Sequence, residues 1–345
     1  MAVTAAAASD ASDPQWLAFV QSHPAATAFH HPQWLKLLAV VYGYRPLVLT
    51  LRDADDSIVA GTPLLEVRSW LTGRRFISLP FTDHCPPLTR DPASLAGFAS
   101  ALTRWRRNAG EPRVEIRDAM PSSYGFHPIQ VGVRHVLALE PDAHRVTARF
   151  RKAPTRAIQK AQREGVEVTQ IRSPDGLDPF YRLHCMTRRR LGVPVQPRRF
   201  FEALWRSIIQ REMGFLLLAH RAGQPIAGVL FLSWNRNLIY KYAASDPAYV
   251  QLRPNNLLIG AAIEWGCQNG YRALDFGKTE ISQQGLRTFK SGWGADELPL
   301  EYSYAGAEPR QQQTGYMSRV FSKIIQLSPP IVCRAVGEAL YRHFA

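Results

Sequence analysis

Asp275 closes the short apolar run Arg272–Phe276. A carboxylate at the end of a strand that opens onto a ligand is suited to act as a general base when burial raises its pKa. The same residue type also caps a following turn, here Phe276-Gly277. Further on, the glycine-rich stretch from Gly285 to Gly294 carries a lone lysine, Lys290, and reads as a loop. Tyr242 offers a slot either a wall or a hydroxyl donor, although a tyrosine on a central strand is more often core. Asp83-His84-Cys85 contains the residue types of nucleophilic catalysis. Consecutive residues of an extended chain diverge, however, so this segment reads better as a loop lining an acceptor groove, with Asp83 on the substrate side. The four cysteines, Cys85, Cys185, Cys267 and Cys333, lack the short spacings of zinc ligands or redox pairs. They read as reduced thiols, with no disulfide and no structural metal.

The elements that would position these residues are legible. A strand over Leu238–Ala244 leads through a long turn to Pro254, which opens a helix over Asn255–Asn269; Gly270 stops it, and Arg272–Phe276 follows as a strand. This unit has the length of a right-handed parallel crossover. Ligands of such sheets sit outside the carboxyl ends of the strands, which makes Ala243–Asp246 and Phe276–Glu280 the mouths of a site. Upstream, Phe215–Arg221 and Pro225–Trp234 form a hairpin that repeats an earlier one, Pro46–Arg52 and Ile58–Arg68. Ile58-Val59-Ala60-Gly61 echoes Ile226-Ala227-Gly228, and the two halves read as a diverged duplication. A basic helical stretch, Ala143–Arg163, is kinked or divided by Pro154. The expected division is an N-terminal domain over 1–142, a C-terminal catalytic domain over 143–305, and a linker with an amphipathic helical tail over 306–345.

With 345 residues and 46% hydrophobic content, the chain suits two folded domains and excludes disorder. No apolar run is long enough to span a membrane and no signal peptide is visible, so a cytoplasmic location is expected. The net charge is +14, and Arg145–Arg211 holds sixteen Lys and Arg against five acids. Such a field attracts phosphate-bearing partners: a tRNA stem, a nucleotide-linked sugar, a lipid pyrophosphate or an anionic membrane. A solvated helix face is the plain alternative.

The second half resembles the FemABX aminoacyltransferases and their relatives in the GNAT superfamily. The matching residues are Arg151 to Ala161 with Gly165-Val166, Thr187-Arg188-Arg189-Arg190, Tyr242-Ala243-Ala244-Ser245, Pro254 to Leu258, Gly270-Tyr271, Asp275-Phe276-Gly277, and Gly285-Leu286 with Phe289-Lys290 to Gly294. The resemblance covers roughly residues 145–305 and implies an α/β fold of two tandem GNAT-like domains, each a mixed sheet flanked by helices. It also implies acyl transfer from a carrier to an amine, with aminoacyl-tRNA or acyl-CoA as donor and a peptidoglycan or polysaccharide precursor of the cell envelope as acceptor. Lys290 matches the lysine of the Phe-Lys motif, which assigns it to a carrier phosphate or to charge developing on the reacting carbonyl. Arg190 falls where the family has an arginine on substrate phosphates, with Arg188 and Arg189 as neighbouring choices. Arg151 and Phe289 lie within matched motifs and are taken as substrate-binding.

The sequence departs from the pattern in two ways. The coiled-coil arm of FemABX chains is not visible. The turn where conventional acetyltransferases cradle the CoA pyrophosphate reads Gln251-Leu252-Arg253-Pro254-Asn255-Asn256, without glycine and with a proline that removes a donor. A standard acetyl-CoA grip is therefore not expected, although the Arg253 side chain is placed to meet a phosphate. Two further readings stay open: an acetyl-CoA-dependent acetyltransferase, and a non-catalytic protein that binds nucleic acid or envelope components. The tail, with Ile325, Leu327, Ile331, Val332, Val336, Leu340 and Phe344 among Arg319, Lys323, Arg334 and Arg342, suits peripheral contact with the inner face of a membrane through residues 315–345, or packing on its own domain.

Overall fold

Eight of the eleven residues of Gln224–Trp234 are buried, and a run with no polar face needs cover on both sides. That demand organises the fold. A computed structural model describes residues 7–69 and 73–306 and, beyond them, only 323, 325–328, 333, 337, 338 and 341. The tail read over 315–345 thus lies almost entirely outside the described residues. Among those described, no helix is long and apolar enough to cross a membrane.

The chain divides into two units, one holding Met1–Val133 with Pro299–Gln311 and Arg342–Ala345, the other Arg134–Leu298 with Gln312–Tyr341. The first unit begins with β1 (Ala7–Ser9), α1 (Pro14–Ser22), α2 (Pro32–Tyr42), β2 (Arg45–Arg52), β3 (Ile58–Ser69) and β4 (Gly73–Ile77). It continues with β5 (Leu88–Thr89), α3 (Pro92–Asn108) and β6 (Arg113–Ile116). Asp13 and Asp91 cap α1 and α3 by accepting from Gln15 and Ser94 N–H, and each helix opens on proline, as the Asp-Pro pairs in the sequence require. β2 pairs antiparallel with β1 and β3, β3 with β4, and β4 runs parallel to β6.

The chain passes to the second unit within β7 (His127–Ala138). There follow α4 (Ala143–Ala148), α5 (Lys152–Arg163), β8 (Val166–Ile171), α6 (Leu177–Leu191), α7 (Arg198–Ser207), β9 (Gly214–Arg221), β10 (Gln224–Trp234) and β11 (Asn237–Ser245). α8 (Pro254–Gln268), β12 (Ala273–Thr279), α9 (Gln284–Ser291) and β13 (Asp296–Ala305) complete the order. β8, β9, β10 and β11 pair antiparallel in turn, and β11 runs parallel to β12. This repeats the first unit strand for strand, from the antiparallel leading strands through the hairpin to the parallel crossover around α3 or α8. β13 pairs antiparallel with β6 through Ser303, Tyr304 and Ala305. The fold is a tandem of GNAT-like units, each a mixed sheet flanked by helices.

The paired glycines of the two hairpins have the same cause. A Cβ on Gly61 would lie 2.8 Å from Trp16 of α1, and one on Gly228 would lie 2.9 Å from Phe180 of α6. In each unit a helical aromatic ring rests directly on the second hairpin strand, and only glycine leaves room for it.

One local expectation is corrected and another is met. The Gly285–Gly294 loop is largely the eight-residue helix α9, whose side chains Phe289 and Lys290 turn inward. The basic helix over 143–163 is divided at Arg149–Arg151, because the Pro154 ring would clash with the carbonyl one turn earlier, and the chain restarts as a helix with the proline in its first turn.

Candidate active site

β11 and β12 pair only over Asn237–Ile239 and Ala273–Asp275. Beyond that their backbones separate, so the carboxyl ends of two adjacent parallel strands splay. The register of β11 on β10 shifts between Leu230 and Phe231, which leaves Lys241 as an extra residue. Such a bulge bends a strand and reverses the sides of the residues that follow. Tyr240 packs on Phe231 and Phe276 on the α8 side, whereas Tyr242 turns to Phe200, Phe201 and His184 of α6 and α7, with ring centroids 5.4–6.0 Å apart. Tyr242 is 9% exposed there, so its ring is part of an aromatic cluster.

Gly277 lies two residues beyond the last β12 residue paired with β11 and has φ +69°, a conformation that favours glycine. Its N–H donates to Asp275 Oδ1 at 2.8 Å, and its carbonyl accepts from Lys290 Nζ at 2.9 Å. Lys290 also donates to the Lys278 carbonyl at 3.2 Å and is 4% exposed. The other Asp275 oxygen accepts from Arg134 at 3.0 Å. The structure thus brings the two residues read as catalytic together on one residue, Gly277, held on its N–H by one and on its carbonyl by the other. Asp275 caps the turn with one oxygen and pairs with Arg134 through the other.

Around α9, Arg287 holds Glu297 through two hydrogen bonds of 2.9 and 2.6 Å, and Glu297 lies 3.2 Å from His135. The Arg287 hydrogen bond keeps the Glu297 carboxyl below the usual range; burial, reinforced by the Lys290 charge, pushes the His135 imidazole down. Phe289 packs edge-on against Trp293, which also meets Phe150 and Phe276. Arg151 is the N-cap of α5 and donates its backbone N–H to the Gly292 carbonyl at 2.8 Å, which ties α5 to the end of α9; Arg151 is exposed.

At the end of β11, Thr187 of α6 exchanges hydrogen bonds with both the N–H and the carbonyl of Ser245, at 2.9 and 3.2 Å. Next to this clamp lies a cavity of about 680 Å³ lined by Arg182, Cys185, Met186, Arg189, Arg190, Pro247 and Gln326. Arg188 turns away to the Pro194 carbonyl at 2.9 Å, so of the three consecutive arginines Arg189 and Arg190 face the cavity. Guanidinium groups over an apolar floor of this size can hold a phosphate-bearing ligand.

Arg253 is exposed and sits at φ +60°, ψ +37°, the left-handed conformation that a glycine turn would supply. Yet Pro254 has no N–H, and the Asn256 and Leu257 amides turn back to the Arg253 carbonyl. Of the first four α8 positions only Asn255 is left to donate, so this helix start offers far less to a pyrophosphate than a glycine-bearing turn.

Asp83 belongs to the first unit, where its carbonyl accepts from Tyr302 Oη at 2.7 Å. Its neighbours do find partners there. His84 lies 3.1 Å from Asp118, and burial raises the Cys85 thiol far above its usual range, which rules it out as a thiolate nucleophile. Arg134, Arg287 and Glu297 were not singled out by sequence reasoning. Arg134 is 141 residues from Asp275, and no short motif links such a pair.

No curated protein sequence matches the chain. Residues 148–297 match the family model described as an acetyltransferase (GNAT) domain. Among solved structures, FemX superposes with a TM-score of 0.67 at 14% identity over 86% of this chain and 96% of its own. The C-terminal domain (DUF2156) of an Agrobacterium fabrum protein assigned as a lysylphosphatidylglycerol synthetase gives 0.57 at 11% identity over 90% and 95%. A tandem GNAT protein from the clavulanic acid biosynthesis pathway gives 0.51 at 11% identity over 90% and 100%. The chain therefore carries a GNAT domain within a FemABX-like tandem fold, and it is an acyltransferase.

Proposed function

We propose that the chain moves an aminoacyl or acyl group from a phosphate-bearing carrier, tRNA or CoA, to an amine of a peptidoglycan or polysaccharide precursor of the cell envelope. The observation that carries this reading is the splay of β11 and β12 beside an arginine-lined cavity at the end of β11. The envelope acceptor is supported by the likeness to FemX and to a protein assigned to lysylphosphatidylglycerol synthesis. Catalysis belongs to the domain over 143–305, and Asp83 of the N-terminal domain is a further substrate-binding residue in this reading.

In this reaction the amine lone pair attacks the acyl carbonyl, a C–N bond forms, and the ester C–O or thioester C–S bond breaks. The amine proton passes to the leaving hydroxyl or thiol. Most of the catalysis is positioning together with charge on the tetrahedral oxyanion. Lys290 supplies fixed positive charge beside the β12 carbonyls, and Asp275 keeps Gly277 in the conformation that opens the mouth. Arg190, aided by Arg189, takes a carrier or acceptor phosphate. Arg151, Arg253 and Phe289 flank the donor, and Tyr242 holds the wall behind β11.

An acetyl-CoA donor is favoured by the family model and by the left-handed backbone at Arg253, and disfavoured by Pro254. Aminoacyl-tRNA and acetyl-CoA supplied separately, with a nucleotide-linked muramyl peptide bearing a free lysine amine, distinguish the donors. Labelled product from one donor that disappears with Lys290→Met supports the proposal. Absence of product from both donors, with this acceptor and with an amino-sugar oligomer, overturns it. The protein is placed in the cytoplasm with peripheral contact at the inner membrane face through residues 315–345. Flotation with anionic liposomes that survives removal of those residues would rule out that contact.

A further inference from the structure

At the opposite end of β11 and β12 the second unit contains another cavity, of about 640 Å³. It opens where β8 and β10 end and β9 begins, and β11 starts beside it. β11 spans Asn237–Ser245, so at about 3.3 Å per residue this cavity is about 25 Å from the splayed mouth. No step of acyl transfer uses it.

Its walls are of two kinds. Trp205, Phe215, Trp265 and Tyr271 line it, with Phe215 and Trp265 at 4.5 Å and Trp265 and Tyr271 at 5.1 Å between ring centroids. Carboxamides line it as well: Gln170, Gln210 and Asn269. The Asn269 amide N–H is spent on the Trp265 carbonyl at 2.8 Å, which turns its side-chain oxygen outward as an acceptor. Trp205 is 3% exposed and its indole N–H has no acceptor among the described residues. One cation, Arg172, and one anion, Glu212, face the same space, so the cavity carries no net charge.

This combination selects a ligand class. A phosphate or nucleotide needs an excess of cations, which is absent. A purely apolar ligand would strip water from the amides, the arginine and the carboxylate without replacing its hydrogen bonds. A neutral molecule with apolar C–H faces and a rim of hydroxyls satisfies both sets of walls, because the faces stack on aromatic rings and each hydroxyl both donates to and accepts from a carboxamide. Pyranose sugars have this build, and one or two rings fill a pocket of this size. We propose that the cavity bounded by Trp205, Trp265, Tyr271, Gln170 and Gln210 is a saccharide-binding site separate from the acyl-transfer centre. It gives the second unit a hold on a neutral glycan.

The test is a titration of the full-length protein with N,N′-diacetylchitobiose and with maltose, followed by tryptophan fluorescence. A saturable change with either disaccharide, weakened at least tenfold by Trp265→Ala and by the exposed-site change Gln210→Ala, is the expected result. Lys290→Met should leave this binding unaltered, which keeps the outcome independent of the proposed reaction. Thermal unfolding within a few degrees of the parent certifies that Gln210→Ala is folded. No saturable change with either sugar up to 50 mM, roughly the weak end of specific recognition, would overturn the site. So would saturable binding that Gln210→Ala leaves intact.

Discussion

Gly277 is held on its N–H by Asp275 and on its carbonyl by Lys290, and Arg134 anchors Asp275 in turn. Replacing Lys290 by Met keeps the volume but strands two carbonyls in a buried place, a loss of about 1–3 kcal/mol. Transfer should fall by about a hundredfold or more while the folded state persists, measured as turnover beside a urea titration. Asp275→Asn should keep the Gly277 hydrogen bond through its amide oxygen but set an NH2 donor against Arg134, so the whole of that contact is lost and stability falls. Two other buried side chains set an acid limit. Burial pushes the His30 imidazole down to about 4 and the His184 imidazole down to about 3. The unfolded chain binds both protons near pH 6.5, so stability is full above that pH and is lost as the pH falls toward the folded values. Between pH 6 and 4 the loss should be on the order of 1 kcal/mol per pH unit for each histidine. Urea midpoints measured at half-unit pH steps check this, and a flat profile would show that neither imidazole is neutral in the fold.

Helices and strands carry a second set of consequences. Gly61→Ala and Gly228→Ala should each destabilise by about 1–3 kcal/mol, since each Cβ would collide with an aromatic ring seated on its strand. Equal effects in the two units, read by urea unfolding, fit the duplication; a neutral Gly228→Ala would show that Phe180 can move aside. Both hairpins, the crossover through α8 and this glycine pair were legible, because strand period, proline starts and glycine stops act within a few residues. The α9 helix was not, because Gly285, Gly292 and Gly294 give the stretch a loop composition. Its inward Phe289 and Lys290 are fixed by packing on Trp293 and β12, which no local pattern encodes. The bulge at Lys241 escaped for the same reason: alternation alone would put Tyr240 and Tyr242 on one face. The Asp275 turn was foreseen, but its Arg134 partner lies too far away in sequence to be seen.

For the molecule as a whole, the +14 charge predicts a salt-dependent partner. Affinity for bulk tRNA should fall by roughly half a log unit per phosphate contacted between 50 and 200 mM salt. Filter binding across that range separates a polyanionic carrier from a small one, because CoA offers few phosphates to release. The pairing of β13 with β6, which puts Ser303 beside Ile116, has another consequence. The first unit takes in Pro299–Gln311 although its other strands are complete by Val133. During translation at about 5–20 residues per second, that sheet waits on the order of ten to thirty seconds for its last strand. Through that interval β6 presents an open edge in the nascent chain, exposed to other chains on the same message and to whatever chaperone guards them.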